Sequence, residues 1–186
     1  MLLKTHWLDK RVDYDGNQLQ AHWIYKNTGI KGNALVAFIG AANVPIDHMV
    51  DQEDVLNQAP IYSPRMLHFL GEWFIDSLDQ GVLLQHLFTS ELYESLLERG
   101  IRGMHKRGND IYFENRKMSV SIATRSGVSV LMHAAVNIDT DGTPVPTSGL
   151  AELGIDGETF GKNLLERFHS QSQVWANARV KVSPRA

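Results

Sequence analysis

Three consecutive runs of β-prone residues within positions 105–139 constrain the fold more than any other part of the chain. The first two runs are separated by Glu114-Asn115, a two-residue connection with asparagine in its second position, which is typical of a tight β-hairpin. A second turn, at Ser126-Gly127, leads into the third run. The stretch therefore predicts an antiparallel meander, whose strands are residues 111–113, 116–125 and 128–138.

Alternation along these predicted strands separates an apolar face from a face of small and polar residues. Because successive side chains of a strand point to opposite faces, Met118, Val120 and Ile122 are predicted to face the core. The opposite face carries Lys117, Ser119, Ser121, His133 and Asn137. Small residues leave room above a sheet, which favours a ligand-facing floor. A half-exposed antiparallel sheet shows the same alternation without any function, so the pattern alone leaves both interpretations open.

Two segments of the meander resemble a known superfamily. Residues 106–111, which end in Asn109-Asp110-Ile111, and the following Arg116-Lys117-Met118-Ser119 are similar to the Asn-Asp and lysine segment of biotin protein ligases and lipoate protein ligases. Residues 130–139 are similar to the next strand of those enzymes and of the related octanoyltransferases. The whole chain also resembles the family called domain of unknown function 366, which has no assigned activity.

The resemblance implies roles for individual residues. In the superfamily, the lysine that matches Lys117 contacts the carboxylate, acyl or phosphate group of the ligand, and the Asn-Asp pair closes the site around it. Lys117 is therefore the predicted catalytic residue, and Asp110 is expected to pair with it when the site is empty. The predicted ligand-binding residues are Asn109, Asp110, Ser119, Ser121, His133 and Asn137.

Two departures from the ligases and one from the octanoyltransferases bear on the expected activity. The ligases have a glycine where this chain has Val120, and they have a glycine- and arginine-rich loop that clasps the ligand and the nucleotide phosphates. The nearest candidate for that loop, residues 28–32, contains one lysine and no arginine. Octanoyltransferases use a Pro-Cys-Gly thiol, whereas residues 146–149 read Pro-Thr-Ser-Gly and the chain has no cysteine. These departures favour a binding module or an unknown acyl chemistry over ATP-dependent ligation.

Outside the meander, local patterns predict alternating helices and strands. Ser63-Pro64 is a typical helix start, and the helical spacing of the apolar residues after it places His68 and Glu72 as a surface pair. The predicted helices are residues 63–80, 90–99 and 159–170, and the predicted strands are residues 3–10, 19–26, 33–39, 82–88 and 174–182.

These elements predict an α+β fold: a two-layer domain with a mixed, mostly antiparallel sheet and helices packed on one face. The resemblance implies the same architecture. Val120 and Ile122 are expected to be buried beneath the helix at residues 63–80. With 186 residues, of which 43% are hydrophobic, the chain is long enough for one substantial core, and a single domain over residues 1–186 is expected.

Charge and composition narrow the range of partners. A net charge of −3 and a pI near 6.2 give no electrostatic support for binding nucleic acid. No long apolar run and no secretion signal are present, which predicts a cytoplasmic protein without a membrane partner. Aromatic residues in the first 26 positions raise the expectation of a homodimer.

The densest acidic segment, residues 47–54, contains Asp47, Asp51, Glu53 and Asp54 beside His48. The regular spacing and glycine turn of a calcium loop are missing, so a solvated acidic loop is expected there and no metal site. The cofactor is unknown, and the use of ATP is left open. The predicted function is binding of a small carboxylate or acyl compound, with its transfer or activation left open. The alternatives are a non-catalytic ligand-binding protein and a dimeric structural protein.

Overall fold

The computed structural model describes residues 2–185. Its strands are β1 (Lys4–Trp7), β2 (Ala34–Val44), β3 (Ile61–Trp73), β4 (Met104–Arg107), β5 (Asp110–Phe113), β6 (Arg116–Lys117), β7 (Ser119–Arg125) and β8 (Val130–Asp139). Its helices are α1 (Trp23–Thr28), α2 (Gln52–Leu56), α3 (Leu78–Leu97) and α4 (Gly157–Val180). None of these helices combines the length and the apolar character needed to cross a lipid bilayer.

The main sheet has five strands in the order β1-β2-β3-β8-β7. Only β1 and β2 run parallel, and the other neighbouring pairs are antiparallel. A small antiparallel sheet of β4, β5 and β6 lies beside it. The predicted α+β class, with a mixed and mostly antiparallel sheet, is confirmed.

The two long helices, α3 and α4, cover one face of the main sheet. Phe69 of β3, Phe88 of α3 and Phe168 of α4 form the centre of this layer, with ring centroids 4.8 Å apart for the first pair and 5.3 Å for the second. All three rings are fully buried, and the burial of this aromatic surface stabilises the layer. The short α1 and α2 lie on the opposite face of the sheet.

The predicted hairpin turn is confirmed, because Glu114 and Asn115 connect β5 to β6 and Glu114 has a left-handed φ of 54°. The strand predicted at residues 116–125 is interrupted, however. Residues Arg116–Lys117 pair with β5, whereas Ser119–Arg125 joins the main sheet beside β8. Met118 lies at the transition. Its N–H donates a hydrogen bond to the carbonyl oxygen of Ile111, and its carbonyl oxygen accepts one from the N–H of Asn137.

This interruption reverses the predicted faces of β7. Directly opposed residues of an antiparallel pair share a face, and Ile122 opposes His133 whereas Ser121 opposes Ala134. Met118 and Ser119 both lie on the side of the helices, so the two-residue alternation is broken between them. Val120 and Ile122 therefore share a face with His133, and the prediction that they face the helical layer is wrong.

The predicted helix at residues 63–80 is also wrong, because this segment forms β3. Residues Met66–Trp73 are buried throughout, since β3 is a central strand with α3 and α4 on one face and the α1 layer on the other. A continuous apolar run of this kind satisfies the apolar positions of a helix and of a fully buried strand equally well. Pro64, which has no N–H to donate, lies where the pairing of β3 with both neighbours is irregular.

Three further predicted strands belong to helical regions instead. Residues 19–26 lead into α1, residues 82–88 belong to α3, and residues 174–182 extend α4. Helix α3 begins after Ser77, whose Oγ atom caps it by accepting a hydrogen bond from the N–H of Gln80. This one helix includes both the strand predicted at 82–88 and the helix predicted at 90–99. Strands β1 and β2, and the first half of α4, agree with prediction.

Candidate functional site

A cleft of about 410 Å³ opens over the sheet face opposite α3 and α4. Its floor is formed by Met66 of β3, Val120 and Ile122 of β7, and His133 and Asn137 of β8. The segment between β2 and β3, which includes α2, and the loop after β8 form its walls. A concave site of this volume is typical of those that bind small molecules.

Lys117 and Asp110 form an ion pair in this cleft. Lys117 ends β6 and Asp110 begins β5, and the hairpin brings the Nζ atom within 2.7 Å of Oδ2. Their side chains are 31% and 25% exposed, so both remain accessible from the cleft. The predicted pairing of Asp110 with Lys117 is confirmed.

The cleft is acidic around this pair. Asp51, Glu53 and Asp54 of the segment at residues 47–54 line it together with Asp110, whereas Lys117 is the one lysine or arginine among the lining residues that the structure describes. Four carboxylates face one ammonium group. Burial raises the pKa of Asp54, and repulsion from Asp51 acts in the same direction. The Asp51 side chain caps α2 by accepting a hydrogen bond from the N–H of Glu53 at 2.9 Å.

The acidic segment is thus part of the cleft wall, although it was expected to be a solvated loop. Within residues 2–185, no group of three or more histidine, aspartate or glutamate side chains is placed to hold a metal ion.

Two buried histidines lie side by side beneath the cleft. The Nδ1 atom of His68 is 3.1 Å from Nε2 of His133, and the Nε2 atom of His68 is 3.3 Å from the carbonyl oxygen of Gly40. The ring of Tyr14 stacks on His133 with centroids 3.7 Å apart and an angle of 8° between the planes. Burial lowers the pKa of His68 to about 4, and it also lowers the pKa of His133 well below its ordinary value. Both rings are therefore neutral at pH 7.

Sequence reasoning missed His68 and Tyr14. The predicted helix placed His68 on an exposed surface beside Glu72, whereas both are buried in β3, and the Glu72 carboxylate accepts hydrogen bonds from the His22 N–H and the Ser129 hydroxyl. If residues 66–73 are interpreted as a buried strand, His68 and Glu72 become its only ionisable residues, and that signal would have identified both. No local pattern distinguishes Tyr14.

The structure brings together some of the predicted site residues. Lys117, Asp110, His133 and Asn137 all line the cleft. Ser119 and Ser121 lie along its edge, but their hydroxyl groups are engaged on the helical side, where they accept hydrogen bonds from the Ile111 N–H and the Gln85 amide respectively.

Asn109 is separate from the cleft lining. Its carbonyl oxygen accepts a hydrogen bond from the Ser121 hydroxyl at 3.3 Å. Its Oδ1 atom is buried without a hydrogen-bond partner among residues 2–185.

The fold defines the structural class of the protein. A biotin protein ligase of Aquifex aeolicus in complex with biotin superposes with a TM-score of 0.57 at 17% identity, over 91% of this chain and 70% of that one. A lipoate-protein ligase A bound with ATP superposes with a TM-score of 0.58 at 15% identity, over 93% and 86% of the two chains. This protein thus has the fold of the biotin and lipoate ligases.

Within that class, the chain belongs to the family described as Domain of unknown function (DUF366), whose model matches residues 3–183. A protein of unknown function from Pyrococcus horikoshi is similar over 99% of this chain and 100% of its own, with a TM-score of 0.94 and 36% identity. The uncharacterized protein MJ0805 of Methanocaldococcus jannaschii is 30% identical over 151 residues, which are 78% of this chain and 68% of that protein. The resemblance seen in the sequence is confirmed at the level of family and fold.

Proposed function

We propose that the cleft binds a small compound with one carboxylate or acyl group, and that Lys117 holds this group. The observation that carries the proposal is the position of the Lys117 ammonium, which lies inside the cleft and is held by Asp110 at 2.7 Å. An ammonium group fixed by a carboxylate is oriented before the ligand arrives, which lowers the entropic cost of binding. The shared fold with proteins that bind biotin supports the same class of ligand.

The charge of the cleft argues against a polyphosphate ligand. Asp51, Glu53 and Asp54 lie on the wall that faces the ion pair, so several anionic phosphate groups would be repelled with little compensation. We therefore propose a ligand that carries one anionic or acyl group at most, and a reaction, where one occurs, that does not begin with ATP.

Transfer of the acyl group is the chemical extension of this proposal. Lys117 would stabilise negative charge that develops on the acyl oxygen, because a fixed cation in a partly desolvated cleft acts strongly there. Asp110 would position Lys117, and Asn109 would support the strand that carries Asp110. The alternative, non-catalytic binding, uses the same contacts. The enclosed location of Lys117 supports either of these over a dimer surface.

Replacement of Lys117 tests the proposal. In Lys117→Ala we expect the affinity for a carboxylate probe, taken from octanoate, lipoate and biotin, to fall by roughly ten- to hundredfold, since one charge-assisted hydrogen bond is lost. Calorimetric titration measures the change, and Lys26→Ala, an exposed lysine of α1, is the matched control.

The free energy of unfolding of Lys117→Ala should change by no more than about 1 kcal/mol, because the pair with Asp110 is partly exposed. An affinity equal to that of the wild type would make Lys117 an ordinary surface residue. A loss of several kcal/mol of stability would make it a structural one.

We also propose that the protein forms a homodimer. Tyr25 and Phe74 are 45% and 38% exposed, and they border the same shallow depression beside α1. An apolar surface of this kind is commonly covered by a second copy. Light scattering at micromolar concentration should give twice the chain mass of 20.9 kDa, and Phe74→Glu should reduce it towards one chain. A wild-type mass of one chain would remove the proposal.

A further inference from the structure

The polar atoms on the cleft floor are free hydrogen-bond acceptors. Asn137 donates through Nδ2 to the carbonyl oxygens of Lys117 at 3.3 Å and Ser148 at 3.4 Å. Because a carbonyl oxygen only accepts, these contacts fix the orientation of the amide, and Oδ1 is left without a donor among residues 2–185. Asn137 is 95% buried as a residue, yet Oδ1 is not sealed within the protein, so its remaining accessible surface lies in the cleft that Asn137 lines.

The second acceptor is the free ring nitrogen of His133, and its protonation state follows from the network below it. The Gly40 carbonyl accepts from His68 Nε2, so that nitrogen carries the proton of the neutral ring. His68 Nδ1 then has a lone pair and accepts from the Nε2–H of His133. His133 Nδ1 is therefore unprotonated. It has no hydrogen-bond partner in the described part of the chain, and like Asn137 Oδ1 it is not sealed in the interior.

Tyr14 adds a third polar group, beside His133. The residue is 96% buried, its ring stacks on His133, and its hydroxyl likewise reaches the cleft without a hydrogen-bond partner among residues 2–185. These three groups lie below a wall that carries Asp51, Glu53 and Asp54. The floor thus offers lone pairs, and the wall offers negative charge.

We propose that the ligand carries a protonated amine, which donates a hydrogen bond to His133 Nδ1, in addition to the carboxylate or acyl group at Lys117. An ammonium group has three donors and no acceptor, which matches a floor of acceptors beneath an anionic wall. A purely aliphatic chain would leave both acceptors buried without donors. The ligand class is then a small amino acid-like compound. The carboxylate or acyl group at Lys117 rests on the proposed function, whereas the amine does not.

Three probes of matched length separate the two ends of the ligand: hexanoate, hexylamine and 6-aminohexanoate, titrated calorimetrically into the full chain at neutral pH. We expect 6-aminohexanoate to bind about tenfold or more tightly than hexanoate, because it alone engages His133 Nδ1 as well as Lys117. Lys117→Ala should weaken binding of hexanoate and leave that of hexylamine unchanged or stronger.

Variants of His133 test the acceptor directly. His133→Phe keeps an aromatic ring against Tyr14 but has no lone pair, so the advantage of 6-aminohexanoate over hexanoate should fall while hexanoate affinity is kept. His133→Gln can donate to His68 and present an oxygen to the cleft, and we expect it to restore most of that advantage. Circular dichroism of each variant shows whether it is folded. If His133→Phe does not fold, the affinities of 6-aminohexanoate and hexanoate for the wild type and for His133→Gln decide whether the amine is recognised.

The possible outcomes separate the two proposals. If hexanoate binds as tightly as 6-aminohexanoate, the amine inference is overturned and the carboxylate proposal stands. If hexylamine binds and hexanoate does not, the amine inference stands and the carboxylate proposal falls. Failure of all three probes to bind at millimolar concentration would overturn both.

Discussion

Acidification from pH 7.5 to 4.5 should destabilise the protein by roughly 2 to 3 kcal/mol through His68 alone. Burial holds the pKa of this ring at about 4 in the folded chain, against an ordinary value of 6.5 in the unfolded chain. Between these two values the unfolded chain binds more protons, so unfolding is favoured as the pH falls. The stability is fully present above pH 6.5 and is lost progressively towards pH 4. His133 acts in the same direction, since its pKa is also depressed by burial.

Urea unfolding of the wild type and of His68→Gln over this pH range measures the effect. Glutamine can donate to the Gly40 carbonyl and accept from His133, but it does not titrate. The carboxylates titrate in both proteins, so the difference between the two stability curves isolates His68. His6→Gln, at an exposed histidine of β1, should reproduce the wild-type curve. Parallel curves for the wild type and His68→Gln would mean that His68 takes up its proton at the ordinary pKa without unfolding.

The second large effect is expected at Gly40. A Cβ atom at this position would lie 1.9 Å from the carbonyl oxygen of Val12 and 2.6 Å from its carbonyl carbon. Both atoms belong to the backbone, which cannot rotate away as a flexible side chain can. Gly40→Ala should therefore cost at least about 3 kcal/mol, at the upper end of the range for overpacked sites. It should also shift the carbonyl that orients His68.

Gly127→Ala is the matched control for this substitution. No heavy atom lies within 4 Å of the Cβ that would be added at Gly127, and its φ is not in the left-handed region. We expect its free energy of unfolding to lie within about 0.5 kcal/mol of the wild type. Thermal or urea unfolding measures the change in the free energy of unfolding for both variants. A cost below about 1 kcal/mol for Gly40→Ala would show that the segment around Val12 moves away freely.

Local chemistry was sufficient to predict the part of the candidate site that lies on the hairpin. A two-residue turn leaves little freedom in pairing, so Glu114-Asn115 places Asp110 and Lys117 on adjacent strands, and their ion pair follows. The alternation in β8 was also predictable, because a strand with one face in the helical layer must place His133 and Asn137 on the other. These features depend on contacts between residues that are near in sequence.

The remaining features were decided by contacts between distant parts of the chain. The apolar residues of β3 fit a helix or a buried strand, and only β2 on one side and β8 on the other made the strand the lower-energy choice. The interruption at Met118 arises because its backbone is hydrogen-bonded to β5 through the N–H and to β8 through the carbonyl oxygen. As a result, Val120 faces the cleft.

The sequence by itself determined the hairpin and the ion pair of Lys117 with Asp110, since these follow from short-range turn chemistry and side-chain periodicity, and its resemblance to the ligases implied the fold class. Tertiary structure alone decided the network of His68, His133 and Tyr14, whose members lie on separate elements and meet only when β3 and β8 are paired. The physical reason is that burial sets the protonation state of these rings, and burial depends on the whole chain.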